Sequence, residues 1–235
     1  MKTLVIDLAS HQGLLTCIDG AKVVSKKEVD HRISDAELMP IFEGVLEAAG
    51  WDKRVTLSPS APLRTGSVEG STRGGKRSRF DSAQRDMFAI NRIACVIGPG
   101  GFTSLRVAVA FGNALSYTLD VPVTGIHLSD LYLAREIPSP KNQIPIVWVH
   151  STKKKELFVR EPGKEPEWLQ LEEFLAKISE GVQWMGELIP EHEAEVSKRG
   201  GTRAELQTVE SILPAFVDAL TYEKKTLEPW YGRKW

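Results

Sequence analysis

The sequence predicts an α/β protein built as two halves of similar size. Three observations lead there. The first 30 residues hold three short apolar runs separated by turn residues, which reads as an antiparallel meander of strands. Residues 93–135 then alternate between strand-type and helix-type apolar patterns, the order of an α/β layer. The length of 235 residues allows one large domain or two modest ones, and either can bury a core.

The strands come first. Leu4 to Leu8, Leu14 to Ile18 and Lys22 to Val29 are the three runs. Asp19-Gly20 between the last two suits the positive φ of a tight hairpin turn. A helix follows. Ser34 is placed as its N-cap, with Glu37 three residues on as a capping box requires. Leu38, Ile41, Phe42, Val45, Leu46 and Ala49 form one apolar stripe at helical period, and Gly50 is placed to end it. Pro40 lies beyond the first turn, so it should kink the helix or move its start towards Met39.

Thr56 to Asp86 has a different composition, with six Ser, four Gly and few large apolar residues. It reads as a flexible inserted loop, because it buries too little to offset its ordering entropy. Between Arg64 and Arg85 six cations face two anions, a local charge of +4. Two readings stand side by side: a solvated loop, or an arm in which Arg73, Lys76, Arg77 and Arg79 contact RNA phosphates.

Ile93 to Ile97 is a buried-type strand. It runs into Gly98-Pro99-Gly100-Gly101 and a helix from about Thr103 to Leu119. Val107, Phe111, Leu115 and Leu119 repeat every four residues on that helix. Ala108, Gly112 and Ser116 form one small-residue stripe, and Ala110 and Ala114 another. A strand from Pro122 to Ile126 and a helix from Ser129 to Arg135 follow. In the second half, Ile144 to Val149 and Glu156 to Arg160 read as paired strands. Leu171 to Ile178 reads as a helix, Gln183 to Ile189 as a strand and Ala204 to Leu220 as a helix that Pro214 should kink or split. No internal repeat is visible.

Composition narrows the class. The chain is 42% hydrophobic and 26% charged with a net charge of −1. Those values exclude collagen, a coiled-coil rod and a wholly disordered chain. Near-neutrality argues against a surface that binds nucleic acid throughout, though not against a local patch. The two cysteines, Cys17 and Cys95, give no metal spacing and no disulfide framework. No apolar run reaches membrane-spanning length and the start has no secretory h-region. The expectation is a soluble cytoplasmic protein.

Chemistry has few candidates. Gly98, Gly100 and Gly101 precede a helix N-terminus, where free N–H groups attract anions, and Thr103 and Arg106 follow. The segment is neither a P-loop nor a full dinucleotide fingerprint, so a tight turn without a ligand reads equally well. Asp7 ends the first strand, with Ser10 close behind. In a phosphotransfer fold it would organise a metal on nucleotide phosphates; otherwise it caps a turn. No two of the five histidines stand at i, i+4, so no helix offers a His pair to a metal. The expectation is that there is no metal site and no assembled catalytic set.

Gly98-Pro99-Gly100-Gly101-Phe102-Thr103-Ser104-Leu105-Arg106 resembles the Gly-Pro-Gly-Ser-Phe-Thr-Gly-Leu-Arg signature of the bacterial TsaB (YeaZ) family. Leu4 to Ser10 looks like that family's opening strand, and Ala36 to Ile41 like its Leu-Leu-Pro-containing first helix. Val121 to Ile126 is similar to its Ile-Pro-Leu-Val-Gly-Val strand, and Glu228 to Arg233 to its Pro-x-Tyr-x-Arg ending. The chain departs at Gly101, where Ser is usual, at Ser104, where Gly is usual, and in the Thr56–Asp86 insertion. Val149 to Phe158 also lacks the Asp-Ala-Arg-x-Gly-Glu-x-Tyr wording of the family. It looks like a divergent member.

The resemblance implies a two-lobed actin-like ATPase (ASKHA, ribonuclease H-like) α/β fold with mixed central sheets. The N-terminal lobe would span 1–112 with the basic insertion at about 56–86. The C-terminal lobe would span 113–235, its tail packing back. It implies a non-catalytic scaffold subunit required for threonylcarbamoyl transfer to adenosine 37 of tRNAs reading ANN codons. The subunit would act by heterodimerising with the catalytic paralogue TsaD, with the ATPase TsaE joining and tRNA reached through the complex. Homodimerisation of the lone chain stays open. No cofactor would be tightly bound, and ATP or ADP would sit only at the complex interface. Family members dimerise through N-lobe helices, so Leu38, Phe42 and Val45, with Ala108, Ala110, Gly112 and Ala114, would contact the partner; packing within the chain's own core competes for each. The rival readings are an actin-like small-molecule kinase or ATPase using Asp7 and the glycine turn, and a glycopeptidase, which the missing His pair opposes.

Overall fold

The computed structural model describes residues 1–30, 33, 35–51, 89–137, 145–153 and 155–232. The first half runs β1 (Lys2–Asp7), β2 (Gln12–Asp19), β3 (Lys22–Asp30), α1 (Asp35–Ala48), β4 (Arg92–Gly98), α2 (Phe102–Leu119), β5 (Val123–His127) and α3 (Leu128–Leu133). The second runs β6 (Ile146–Lys153), β7 (Glu156–Arg160), β8 (Glu167–Gln170), α4 (Leu171–Lys177), β9 (Gln183–Glu187), α5 (Pro190–Lys198), β10 (Thr202–Arg203) and α6 (Val209–Asp218).

The two halves repeat one topology. In each, three consecutive strands pair antiparallel, and two later strands join the first of them in parallel. The orders are β3-β2-β1-β4-β5 and β8-β7-β6-β9-β10; the second sheet has the same strand senses. The expected two mixed sheets are therefore present. The central strands β1 and β4 are buried almost throughout, as strands covered on both faces must be. β3 is an edge strand, mostly exposed and carrying Lys22, Lys26 and Lys27, charges that discourage pairing with another chain.

Apolar side chains fill three layers. Leu4 and Ile6 of β1 meet α1 and α2 on one face of the first sheet. Val5 points the other way, into a layer shared with Trp148, Phe158 and Met185 of the second sheet. Val149, Leu157 and Trp184 pack with Phe174 and Val196 of α4 and α5 on the far face of the second sheet. The alternation along β1 is the period of two that puts neighbours on opposite faces.

The predicted elements are present with shifted ends, and both prolines fall inside their helices. Pro40 does not move the first helix to Met39; the helix starts at Asp35 with Pro40 inside. Pro40 lies on the exposed side, where its ring meets solvent rather than the core. Pro214 does not split the last helix, which is one piece but shorter than expected. It starts at Thr208, whose side chain accepts a hydrogen bond from Ser211 N–H. Three elements escape the sequence reading, one of them the two-residue β10. α5 buries only His192 and Val196, too little for an apolar stripe, and β8 is four residues long.

Residue 112 falls inside α2, and β5 pairs with β4, so the strands of the first sheet extend to His127. The tail returns to that sheet. Trp230 N–H donates to Ile97 O at 2.8 Å, and Leu227 exchanges two hydrogen bonds with the Asn113 side chain. Among the described residues no helix is long and apolar enough to cross a membrane. The insertion 56–86, with Arg73, Lys76, Arg77 and Arg79, lies outside the described residues.

Candidate functional site

Asp7 ends β1 and is buried. Its Oδ1 accepts from the backbone N–H of Ala9 (2.9 Å) and of Ser10 (3.1 Å). Its Oδ2 accepts from the Ser10 hydroxyl at 2.5 Å. Both carboxylate oxygens thus hold the turn that leads into β2. Burial pushes the Asp7 pKa up to about 6, against the pull of the Ser10 hydrogen bonds.

The glycine turn is shaped by the chain's own backbone. A Cβ on Gly100 would stand 2.6 Å from Ala9 O. Gly98 has φ 142, and a Cβ there would stand 2.3 Å from Trp230 O. No side chain fits either place. The β1–β2 connection and the tail pack directly against the two glycines. Gly101 is the N-cap of α2, without a side-chain cap. Thr103 and Arg106 are exposed, and the Arg106 guanidinium lies over the Phe102 ring. Of the residues expected to hold an anion, Asp7, Ser10, Gly98 and Gly100 are engaged within the fold. Gly101, Thr103 and Arg106 face outward.

The helix residues expected at a partner interface divide in the same way. Leu38, Phe42, Val45, Ala108 and Gly112 are buried in the chain's own first layer. For these five the structure shows the packing within the chain's own core that was weighed against a partner contact. Ala110 and Ala114 are exposed. With Arg106 and Tyr117, the last 90% exposed, they make the outward face of α2.

A polar cluster that the sequence reading missed lies beside the turn. His150 on β6 is the register partner of Glu187 on β9. Its Nδ1 stands 3.4 Å from Glu187 Oε2. The His11 backbone N–H donates to the same oxygen at 2.7 Å, and Tyr132 OH donates to Oε1 at 2.9 Å. His11 Nε2–H donates to Ser151 O at 2.8 Å. Ser151 Oγ and His192 Nδ1 are 2.8 Å apart. Burial by itself would raise the Glu187 pKa; the His150 ring and His11 outweigh it and hold it at about 2. His11, His150, Ser151 and Ser10 line a cleft of about 350 Å³ that also meets Gly101 and Ser104 at the start of α2. Spacing rules look for clusters of polar side chains within one helix or loop. Here a turn, a strand and the end of another strand supply them, and only the β6–β9 register makes them neighbours.

The remaining reactive side chains are inert. Cys17 and Cys95 are buried thiols; desolvation pushes Cys17 up to about 12, and Cys95 is raised by burial and by Asp7. Thiols so raised are poor nucleophiles and poor metal ligands.

Residues 78–187, just under half of the chain, match the family model described as TsaD: tRNA N6-adenosine threonylcarbamoyltransferase. The match includes the turn Gly98 to Arg106, on which the family resemblance rests. No curated protein matches the chain in sequence. Two solved structures share its fold. One is a crystal structure from Pseudomonas aeruginosa of an uncharacterized protein with similarity to peptidase YEAZ, with a TM-score of 0.59 at 16% identity over 99% of each chain. The other is YeaZ from Pseudomonas aeruginosa, with a TM-score of 0.58 at 15% identity over 98% of this chain and 99% of that one. The protein has a YeaZ-like fold built on two mixed five-stranded sheets.

Proposed function

We propose, from a TsaD-family match carried on a YeaZ-like fold, that this protein is the non-catalytic scaffold subunit for threonylcarbamoyl transfer to adenosine 37 of tRNAs reading ANN codons. The observation that carries the reading is the coincidence of the two likenesses on one chain. The scaffold role draws support from the site. Asp7 spends both carboxylate oxygens on its own turn, and Ala9 packs against Gly100, a structural use of both residues that supports a non-catalytic reading. The partner would be the catalytic paralogue TsaD, with TsaE joining and tRNA reached through the complex. The outward face of α2 suits the contact. Two alanines between Arg106 and Tyr117 let a second helix approach closely.

Reconstitution tests the role. tRNA modification is measured with TsaD, TsaE and the threonylcarbamoyl-adenylate synthase, with and without this protein. Modification that depends on its addition is expected. Equal yields without it would overturn the proposal, and tight binding of Mg-ATP by the isolated chain in a calorimetric titration would favour the kinase reading instead.

A further inference from the structure

We propose that His11, His150 and Glu187 bind a transition-metal dication of the zinc class in the cleft between the two halves. Each offers one ligand atom, and the three atoms lie within 4.8 Å of one another. Two imidazoles and a carboxylate are a donor set that suits Zn²⁺ and Co²⁺ and leaves a position open.

The surroundings are those of ligands held for a cation. His11 Nε2–H is committed to the Ser151 carbonyl, which fixes the tautomer and leaves Nδ1 with its lone pair. Histidine ligands of metals are commonly oriented by such a carbonyl. His150 is 1% exposed, and its Nδ1, on the Glu187 side, has no hydrogen-bond partner. Held 3.4 Å from Glu187 Oε2, that atom makes at best a loose contact, and a bound cation would serve it better. Glu187 ends β9 and is oriented by Tyr132 OH. Its only ion-pair partner is His150, with no Lys or Arg among the described residues within reach. The buried carboxyl of Asp7 also acts on it.

The distances ask for a small closure. Metal–ligand bonds of about 2.0–2.1 Å put tetrahedral ligands about 3.3 Å apart, so a pair standing at the 4.8 Å limit must draw in by about 1.5 Å. His11 is exposed on the β1–β2 connection and can make that shift. The open position faces the cleft that His11, His150 and Ser151 line. The metal would tie the first half, through His11, to the second sheet.

The test uses the purified full chain and CoCl₂, read by the visible ligand-field band, followed by displacement with ZnCl₂ and by melting with and without Zn²⁺. One equivalent of Co²⁺ is expected, with Zn²⁺ raising the melting temperature. His11→Gln, at an exposed position, should weaken Co²⁺ binding more than about tenfold while the metal-free melting temperature stays at the wild-type value. Glu187→Gln should abolish the band. No Co²⁺ band in the wild type, or a band of equal strength in His11→Gln, would overturn the site. Neither result depends on whether the protein supports tRNA modification.

Discussion

Asp7 carries a measurable signature. Its pKa is raised from 3.8 to about 6 by burial, so the folded state holds the proton more tightly than the unfolded chain. Stability is then highest below the unfolded pKa and falls as pH rises towards the folded one. Across that window the loss is about 3 kcal/mol, at 1.36 kcal/mol per pKa unit. Asp7→Asn keeps an Oδ1 for the Ala9 and Ser10 amides but cannot ionise. Urea unfolding of the two proteins between about pH 4 and 6 should therefore diverge, with the wild type losing stability relative to the variant as pH rises. Parallel curves would mean that the carboxyl is not buried as described. The sequence marked Asp7 as either a phosphate-site acid or a turn cap, and its hydrogen bonds to Ala9 and Ser10 show it capping the turn.

Helix α2 shows what a pattern can and cannot locate. Its small-residue stripes were legible, but Ala108–Gly112–Ser116 and Ala110–Ala114 look alike as letters. Packing on the first sheet buries the first stripe and leaves the second in solvent. The double variant Ala110→Arg, Ala114→Arg should change stability by no more than about 0.5 kcal/mol while abolishing co-purification with TsaD. Intact pairing would move the contact to another face. α1 was legible to the residue in its buried positions Leu38, Phe42, Val45 and Leu46, because an amphipathic helix writes its inner face into its period. α5 was not, because two buried residues leave no period to see.

At the scale of the molecule the tail is one of the segments that meet both halves. Leu227 is buried in the first layer. Trp230 donates to Ile97 on β4 and packs its ring against His127 and Phe158 of the second layer. Truncation after Thr226 removes a buried leucine, a large aromatic contact and three hydrogen bonds. The expected cost is about 3 kcal/mol or more, read as a lower urea midpoint; an unchanged midpoint would show that the tail merely lies on the surface.

The duplicated topology is the sharpest contrast between what was legible and what was not. Apolar period and turn residues act within a few positions of the chain, so the sequence by itself determined which segments are strands and helices. The same local demands marked the glycine turn that carries the family signature. That the second half repeats the strand order of the first left no visible repeat, since a fold constrains polarity and spacing rather than identity. The His11–His150–Glu187 cluster, the inward face of α2 and the use of Asp7 were decided only in the tertiary structure. Each depends on which distant segment lies alongside, and that is set by strand register and layer packing summed over the whole chain.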